Sequence, residues 1–342
     1  MSYRWGMRRA WSGVALAAVL VVAGVAAWIW VAAGRPDSPG ARSAAPASPV
    51  VARLPVPGKP RQLVAGPGEL WVVGEGGLHR IDPAANRVVA SVPVGTPDAD
   101  LGGPGLSATS VWVPQVRSEL LWRVDRKTNR VRGRVELGQV LYGPVGVATQ
   151  GDTVWVACCG LRYGARPAGM LLRVDGRRGR VTGRLPVPEG PLAVAAGEDA
   201  VWVGTGTGSL LRVDPATARV LTRVPPPDPR GRIQALSPGP GVLWVADTGA
   251  GAIRRFDLAS GRFTLAVTAP APRNLAAGPD GAYVVTDLNQ LLSQVDARTG
   301  RRGPTVPATQ LGAVRAIAVE PGAVWVTTGD QVVRLDPTRV PA

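Results

Sequence analysis

One feature limits the folds open to this chain more than any other. An aromatic residue among small apolar neighbours recurs at Trp71, Trp112, Trp155, Trp202, Trp244, Tyr283 and Trp325, at spacings of 41, 43, 47, 42, 39 and 42 residues. Each is followed by a second apolar segment ending in Asp, at Asp82, Asp125, Asp175, Asp214, Asp257, Asp296 and Asp336. In most copies this Asp closes an Arg-apolar-Asp triplet, as in Arg80-Ile81-Asp82 and Arg334-Leu335-Asp336. A further apolar run follows, commonly opening with Arg, as in Arg87-Val88-Val89. A unit of about 40 residues cannot bury its own apolar faces, but a stack of such units can.

The first unit shows the layout. Strand a begins at Leu63–Ala65, and Gly66-Pro67-Gly68 turns the chain. Strand b covers Leu70–Val73, strand c Leu78–Asp82 and strand d Arg87–Val94, with a tight turn from Asp82 to Asn86. Asp, Asn, Pro and Gly suit such turns because they pre-set φ or tolerate positive φ. Four short strands in each of seven units predict an all-β, seven-bladed β-propeller. Composition agrees: 44 Gly and 33 Pro disfavour helices, and 45 % hydrophobic against 18 % charged residues excludes a disordered chain. The seventh unit stops at Ala342 without room for a full fourth strand. Residues 50–57, Val-Val-Ala-Arg-Leu-Pro-Val-Pro, match the strand d at Val181–Pro188. The expectation is that they complete the last blade and close the ring, so that residues 50–342 form one domain.

The N-terminus reads differently. Trp11–Ala33 is a 23-residue apolar stretch, preceded by Arg4, Arg8 and Arg9. That length spans about 30 Å of hydrocarbon as a helix. The positive-inside rule then makes residues 1–10 cytoplasmic and residues 11–33 a transmembrane signal-anchor. A cleaved signal peptide is the rival reading, although its apolar core is ordinarily shorter. Residues 34–49, rich in Pro, Ala and Ser, form a tether. The expected location is the cytoplasmic membrane, single-pass, with the propeller extracytoplasmic.

The segments Pro67-Gly68-Glu69-Leu70-Trp71-Val72, Trp244-Val245-Ala246-Asp247-Thr248-Gly249 and Arg255-Phe256-Asp257 resemble repeats of the NHL, YVTN and virginiamycin B lyase-like propeller superfamily. The resemblance covers residues 50–342. It implies the propeller fold and leaves function open, because that superfamily includes lyases, lactonases, RNA-binding modules, sensors and scaffolds. Lyase chemistry in the superfamily implies a catalytic histidine and a metal. The one histidine here, His79, falls in a strand c and is expected to be structural. No catalytic residue, metal site or cofactor is therefore assigned.

Counting ten residues back from each aromatic aligns Arg61, Gly102, Val145, Leu192, Gln234, Arg273 and Arg315. Three of the seven are Arg, in blades 1, 6 and 7, which are neighbours in a closed ring. Blade 5 adds Gln234 with Arg232. Guanidinium forks suit carboxylates and phosphates, so these residues are candidates for an anion-binding funnel mouth. Glu75, Asp247 and Asp287, at the starts of b–c loops, are the candidate acidic partners or ligands of the same face. Blade 3 has a long b–c connection: Trp155 to Asp175 is 20 residues, against 11–13 elsewhere. It carries Cys158 and Cys159, for which a vicinal disulfide, a bond to another chain and two thiols are the alternatives. The aromatic column is expected to pack between blades, and each c–d Asp to cap its turn.

Lys and Arg number 39 against 24 Asp and Glu, a net charge of +15. The outward topology and the scarcity of Phe and Tyr argue against nucleic acid. The expected partner is an envelope protein or an anionic small molecule or polymer, bound by a monomeric propeller acting as sensor, adaptor or scaffold. A diverged lyase- or lactonase-type enzyme is the alternative, and an envelope assembly using the propeller rim is a third.

Overall fold

The structure is a computed structural model that describes residues 48–138, 143–158, 169–197, 199–286, 292–306 and 308–339. Its strands form seven four-stranded antiparallel sheets, the blades of a propeller. Strand β1 (Val50–Pro55) comes first in the chain. Blade 1 is β2 (Gln62–Gly66), β3 (Glu69–Gly74), β4 (Gly77–Asp82) and β5 (Arg87–Pro93). Blade 2 is β6 (Gly105–Leu106), β7 (Ser110–Gln115), β8 (Leu120–Asp125) and β9 (Arg130–Glu136). Blade 3 is β10 (Pro144–Gln150), β11 (Thr153–Cys158), β12 (Gly169–Asp175) and β13 (Arg180–Val187). Blade 4 is β14 (Pro191–Ala196), β15 (Val201–Thr205), β16 (Leu210–Val213) and β17 (Val220–Val224). Blade 5 is β18 (Ile233–Gly239), β19 (Val242–Asp247), β20 (Ala252–Asp257) and β21 (Arg262–Thr268). Blade 6 is β22 (Pro272–Gly278), β23 (Gly281–Thr286), β24 (Leu292–Asp296) and β25 (Arg302–Val306).

Blade 7 takes β26 (Ala316–Glu320), β27 (Ala323–Thr327) and β28 (Gln331–Leu335) from the end of the chain, and β1 pairs antiparallel with β28 as its outermost strand. The innermost strands neighbour one another in order, and β26 lies against β2. A one-turn helix, α1 (Ala308–Leu311), sits in the connection between blades 6 and 7. The repeat pattern carries no sign of it, because one turn is too short to set a hydrophobic period. Residues 1–47, including the stretch at 11–33, lie outside the described residues; among those described, no helix is long and apolar enough to cross a membrane.

The aromatic column explains the stacking. Each aromatic sits in the second strand of its blade, and its cluster reaches into the next blade. Trp71 packs with Val111, Val113 and Val124 of blade 2. Trp155 packs with Val201, Val203 and Val213 of blade 4, and Trp325 packs with Leu70, Val72 and Ile81 of blade 1. Burying one such indole stabilises the pair of blades by about 4–6 kcal/mol of area-based transfer energy.

The c–d turns repeat too. In every blade the Asp carboxylate accepts backbone N–H groups two or three residues ahead, as Asp82 does from Ala84 and Ala85 and Asp296 from Arg298 and Thr299. The residue four places after the Asp has positive φ: Asn86, Asn129, Gly179, Ala218, Gly261 and Gly300. Asn and Gly adopt this conformation readily, whereas Ala218 is strained there. The outer strands β5 and β13 alternate exposed and half-buried residues, β9 and β17 are exposed along most of their length, and Arg87, Arg130, Arg180 and Arg262 stand at the starts of β5, β9, β13 and β21. Charged edges of this kind oppose pairing with other chains.

Candidate functional site

The d–a and b–c connections share one face, and the seven positions aligned by counting from the aromatic all lie there. In blades 3 to 6, Val145, Leu192, Gln234 and Arg273 each occupy a β-bulge at the start of the innermost strand. In blades 1, 2 and 7, Arg61, Gly102 and Arg315 hold the matching place. Their N–H groups donate to the carbonyls of Val73, Pro114 and Thr327 at 2.8, 2.8 and 2.9 Å. A bulge re-aims its side chain away from the sheet's regular alternation. The positions are equivalent, but their side chains meet different surroundings.

Arg61 is held by carboxylates. Its guanidinium pairs with Glu75 and Asp100, each at 3.2 Å, and Lys59 joins Glu75 at 3.4 Å. Desolvation pushes the Glu75 carboxyl up, but Lys59 and Arg61 outweigh it and leave its pKa below the ordinary value. The pairing lines a cavity of about 420 Å³ between blades 1 and 2, with Asp98 and Asp100 in its wall. Arg61 and Glu75 are thus each other's partners.

Asp247 is not a surface ligand. It is 1 % exposed, accepts from the Arg254 guanidinium at 3.0 Å, and accepts the backbone N–H groups of Arg232 and Ala250 at 2.9 and 3.1 Å. Its charge is spent inside blade 5, where it ties the b–c loop to the start of β18. Arg273 and Arg315 are exposed, and Arg232 and Gln234 are half-exposed. The cationic arc therefore covers blades 5, 6 and 7. Asp287 and Cys159 lie outside the described residues, as does the blade 3 loop at 159–168. Cys158 is described: it ends β11, is buried, and pairs in register with Pro144 and Met170.

His79 is buried in β4. Its Nδ1 lies 2.9 Å from the Ser91 hydroxyl, and burial lowers its pKa. Among the described residues, no group of three or more His, Cys, Asp or Glu is placed to hold a metal ion.

One set of residues has a role that repeat counting did not assign. The Arg of Arg-apolar-Asp stands directly opposite the aromatic in six blades: Arg80, Arg123, Arg173, Arg212, Arg255 and Arg334; Gln294 takes the place in blade 6. Arg80, Arg123 and Arg334 lie over the rings of Trp71, Trp112 and Trp325 at 5.5, 5.3 and 5.5 Å. Four of the six also reach across to the next blade. Arg80 donates to the Arg126 carbonyl at 3.1 Å, Arg123 to Arg177 at 3.5 Å, Arg173 to Ala216 at 2.8 Å and Arg334 to Pro83 at 3.0 Å. Between blades 1 and 2, buried Glu69 adds a pair with Arg80 at 3.0 Å and another with Arg126. The fixed two-residue spacing from Arg to Asp was the available signal: it puts every such Arg at one register beside a turn.

No family model and no curated protein matches the sequence. Solved structures do match in shape. A chain from the crystal structure of the mitotic checkpoint complex has a TM-score of 0.72 at 12 % identity, covering 89 % of this chain and 96 % of that one. The WD40 domain of Pan2 from Neurospora crassa has a TM-score of 0.63 at 11 % identity, covering 82 % and 90 %. At such identities the likeness is of fold alone. This chain is a seven-bladed propeller similar in fold to the WD40 type.

Proposed function

We propose that this chain is a membrane-anchored, extracytoplasmic binding or scaffold module of the NHL, YVTN and virginiamycin B lyase-like kind. In this reading its mouth face engages an envelope protein or an anionic ligand. The observation that carries the reading is the arc of Gln234, Arg273 and Arg315 on equivalent positions of three adjoining blades, with Arg232 two residues before Gln234 and with Arg273 and Arg315 exposed. Arginines on one rim attract carboxylates and phosphates and speed encounter with anionic partners. The apolar stretch at residues 11–33 behind three arginines supports the anchor and the outward topology. The protein-binding side of the reading draws on propeller neighbours, one of which comes from a multi-protein complex.

The test is purification of the full-length protein from its native membrane in mild detergent, read by quantitative mass spectrometry. It is run beside the Arg273→Ala/Arg315→Ala double variant. A stoichiometric envelope partner that the double variant loses supports the reading. A partner retained equally by the double variant refutes a mouth site and moves the interface to the rim.

A further inference from the structure

The repeat supplies its own controls for a groove on the opposite face, where the a–b and c–d turns lie. In blades 7, 1, 2 and 3 the strand-c guanidinium donates to a main-chain carbonyl of the next blade's turn, at Pro83, Arg126, Arg177 and Ala216. In blade 4, Arg212 finds no acceptor among the described residues; its Nε, like that of Arg255 in blade 5, is buried without a partner. The neighbouring turn is nevertheless in place. The Leu258 N–H donates to the Gly241 carbonyl at 3.0 Å, as the Arg126 N–H does to Thr109 at 3.1 Å in blade 2. Arg255 of blade 5 also misses its carbonyl, but it turns to the Thr264 hydroxyl at 3.5 Å.

Beside Arg212 there is open space. A groove of about 780 Å³ runs between blades 4 and 5, with Trp202, Pro238, Pro240 and Leu258 in its wall. Trp202 is 7 % exposed, whereas the other five tryptophans of the column are 0–1 % exposed. Leu258 is 38 % exposed. Asp199 also lines the groove, so its wall carries charges of both signs. A carboxylate docking there meets repulsion from Asp199 as well as attraction to Arg212. A neutral acceptor suits the site, and a main-chain carbonyl is what the equivalent guanidiniums take in four other blades.

We propose that this groove docks an extended, apolar segment of a partner polypeptide. One of its main-chain carbonyls accepts from Arg212, and an apolar side chain rests on Leu258 and the two prolines. An extended segment is required because its carbonyls are not consumed by its own helix or sheet. The site lies on the face away from the mouth and does not depend on the reading of that face.

The test is panning of a phage-displayed random library, about twelve residues long, on the full-length protein in detergent, followed by calorimetry of the selected peptides. The expected peptides are neutral and apolar. They bind at least about tenfold more weakly to Arg212→Ala and to Leu258→Asp, and equally well to Arg273→Ala/Arg315→Ala. Their affinity changes little between about 50 and about 500 mM salt. Arg212→Ala removes no hydrogen bond and keeps its melting temperature; should it fail to fold, the exposed turn variant Leu258→Asp carries the comparison. Three results overturn the proposal: no enrichment over Arg212→Ala, enrichment of acidic peptides alone with salt-sensitive binding, or a dimer that Leu258→Asp dissociates in sedimentation. The last makes a second copy of the chain the occupant.

Discussion

Arg334→Ala tests how the last blade is joined to the first. The Arg334 guanidinium donates to the Pro83 carbonyl and to the Asn86 side-chain oxygen, both at 3.0 Å, and lies 5.5 Å from the Trp325 ring. Hydrogen bonds from a charged donor contribute about 1.5–3 kcal/mol each, less where water reaches them, and a partly exposed cation–π contact adds about 0.5–1 kcal/mol. For this half-exposed side chain the expected loss is about 2–3 kcal/mol. Unfolding entropy of about 2.1 cal/mol/K per residue converts that to a fall of about 3–5 °C for a domain spanning Ser48–Ala342. Arg212→Ala is the control, because Arg212 occupies the same register with no such bond. It should shift melting by less than about 1 °C. Arg334→Lys keeps the charge without the fork and should fall between the two. Differential scanning calorimetry of the four proteins decides the matter. Equal shifts for Arg334→Ala and Arg212→Ala would falsify the idea that the contact to the next blade's turn, rather than the arginine itself, provides the stability.

Other consequences can be measured alongside. Glu69→Gln leaves Arg80 and Arg126 without their buried counter-charge and should destabilise by about 2–4 kcal/mol, read as a lowered urea midpoint with unchanged slope. Ala218→Gly relieves positive φ at the blade 4 turn and should stabilise by about 0.5–1 kcal/mol, while Ala218→Val should do the reverse. The turn carboxylates have pKa values below their unfolded ones because they accept backbone N–H groups; Asp175 lies at about 2, mainly through the Arg178 N–H. Their stabilisation is present above the unfolded pKa of about 3.9 and is lost as pH falls through the folded values. Melting temperature should therefore hold from neutral pH to about 5 and decline towards about 2, with a shallower decline in Asp175→Asn. Arg273→Ala/Arg315→Ala changes two exposed side chains and should leave melting within about 1 °C of the parent. A larger fall would mean that these arginines serve the fold.

Much of the architecture was legible before the structure because its causes are local and repeated. A buried indole recurs at one strand position, and Asp82 and its counterparts need only residues two or three places ahead to cap their turns. Equivalence at the mouth was legible for the same reason: Gln234 and Arg273 keep a constant distance from Trp244 and Tyr283 and share one bulge. The fate of those side chains was not. Arg61 meets Asp100, 39 residues away, across a blade boundary, and Asp247 is turned inward by Arg254.

The sequence by itself determined the period, the strand order within a blade and the residues that cap each turn, because these follow from contacts within about 20 residues and from side-chain alternation. It also determined the likeness between residues 50–57 and a fourth strand, and β1 occupies that place beside β28. Tertiary structure alone decided which charges are spent and which face solvent. The acceptor of Arg80 lies 46 residues along the chain and that of Arg334 lies 251 residues back, so local pattern cannot show whether a given guanidinium reaches it. Six arginines at one register differ in what they meet: Arg80, Arg123, Arg173 and Arg334 reach a carbonyl of the next blade, whereas Arg255 turns to Thr264 and Arg212 meets no acceptor among the described residues.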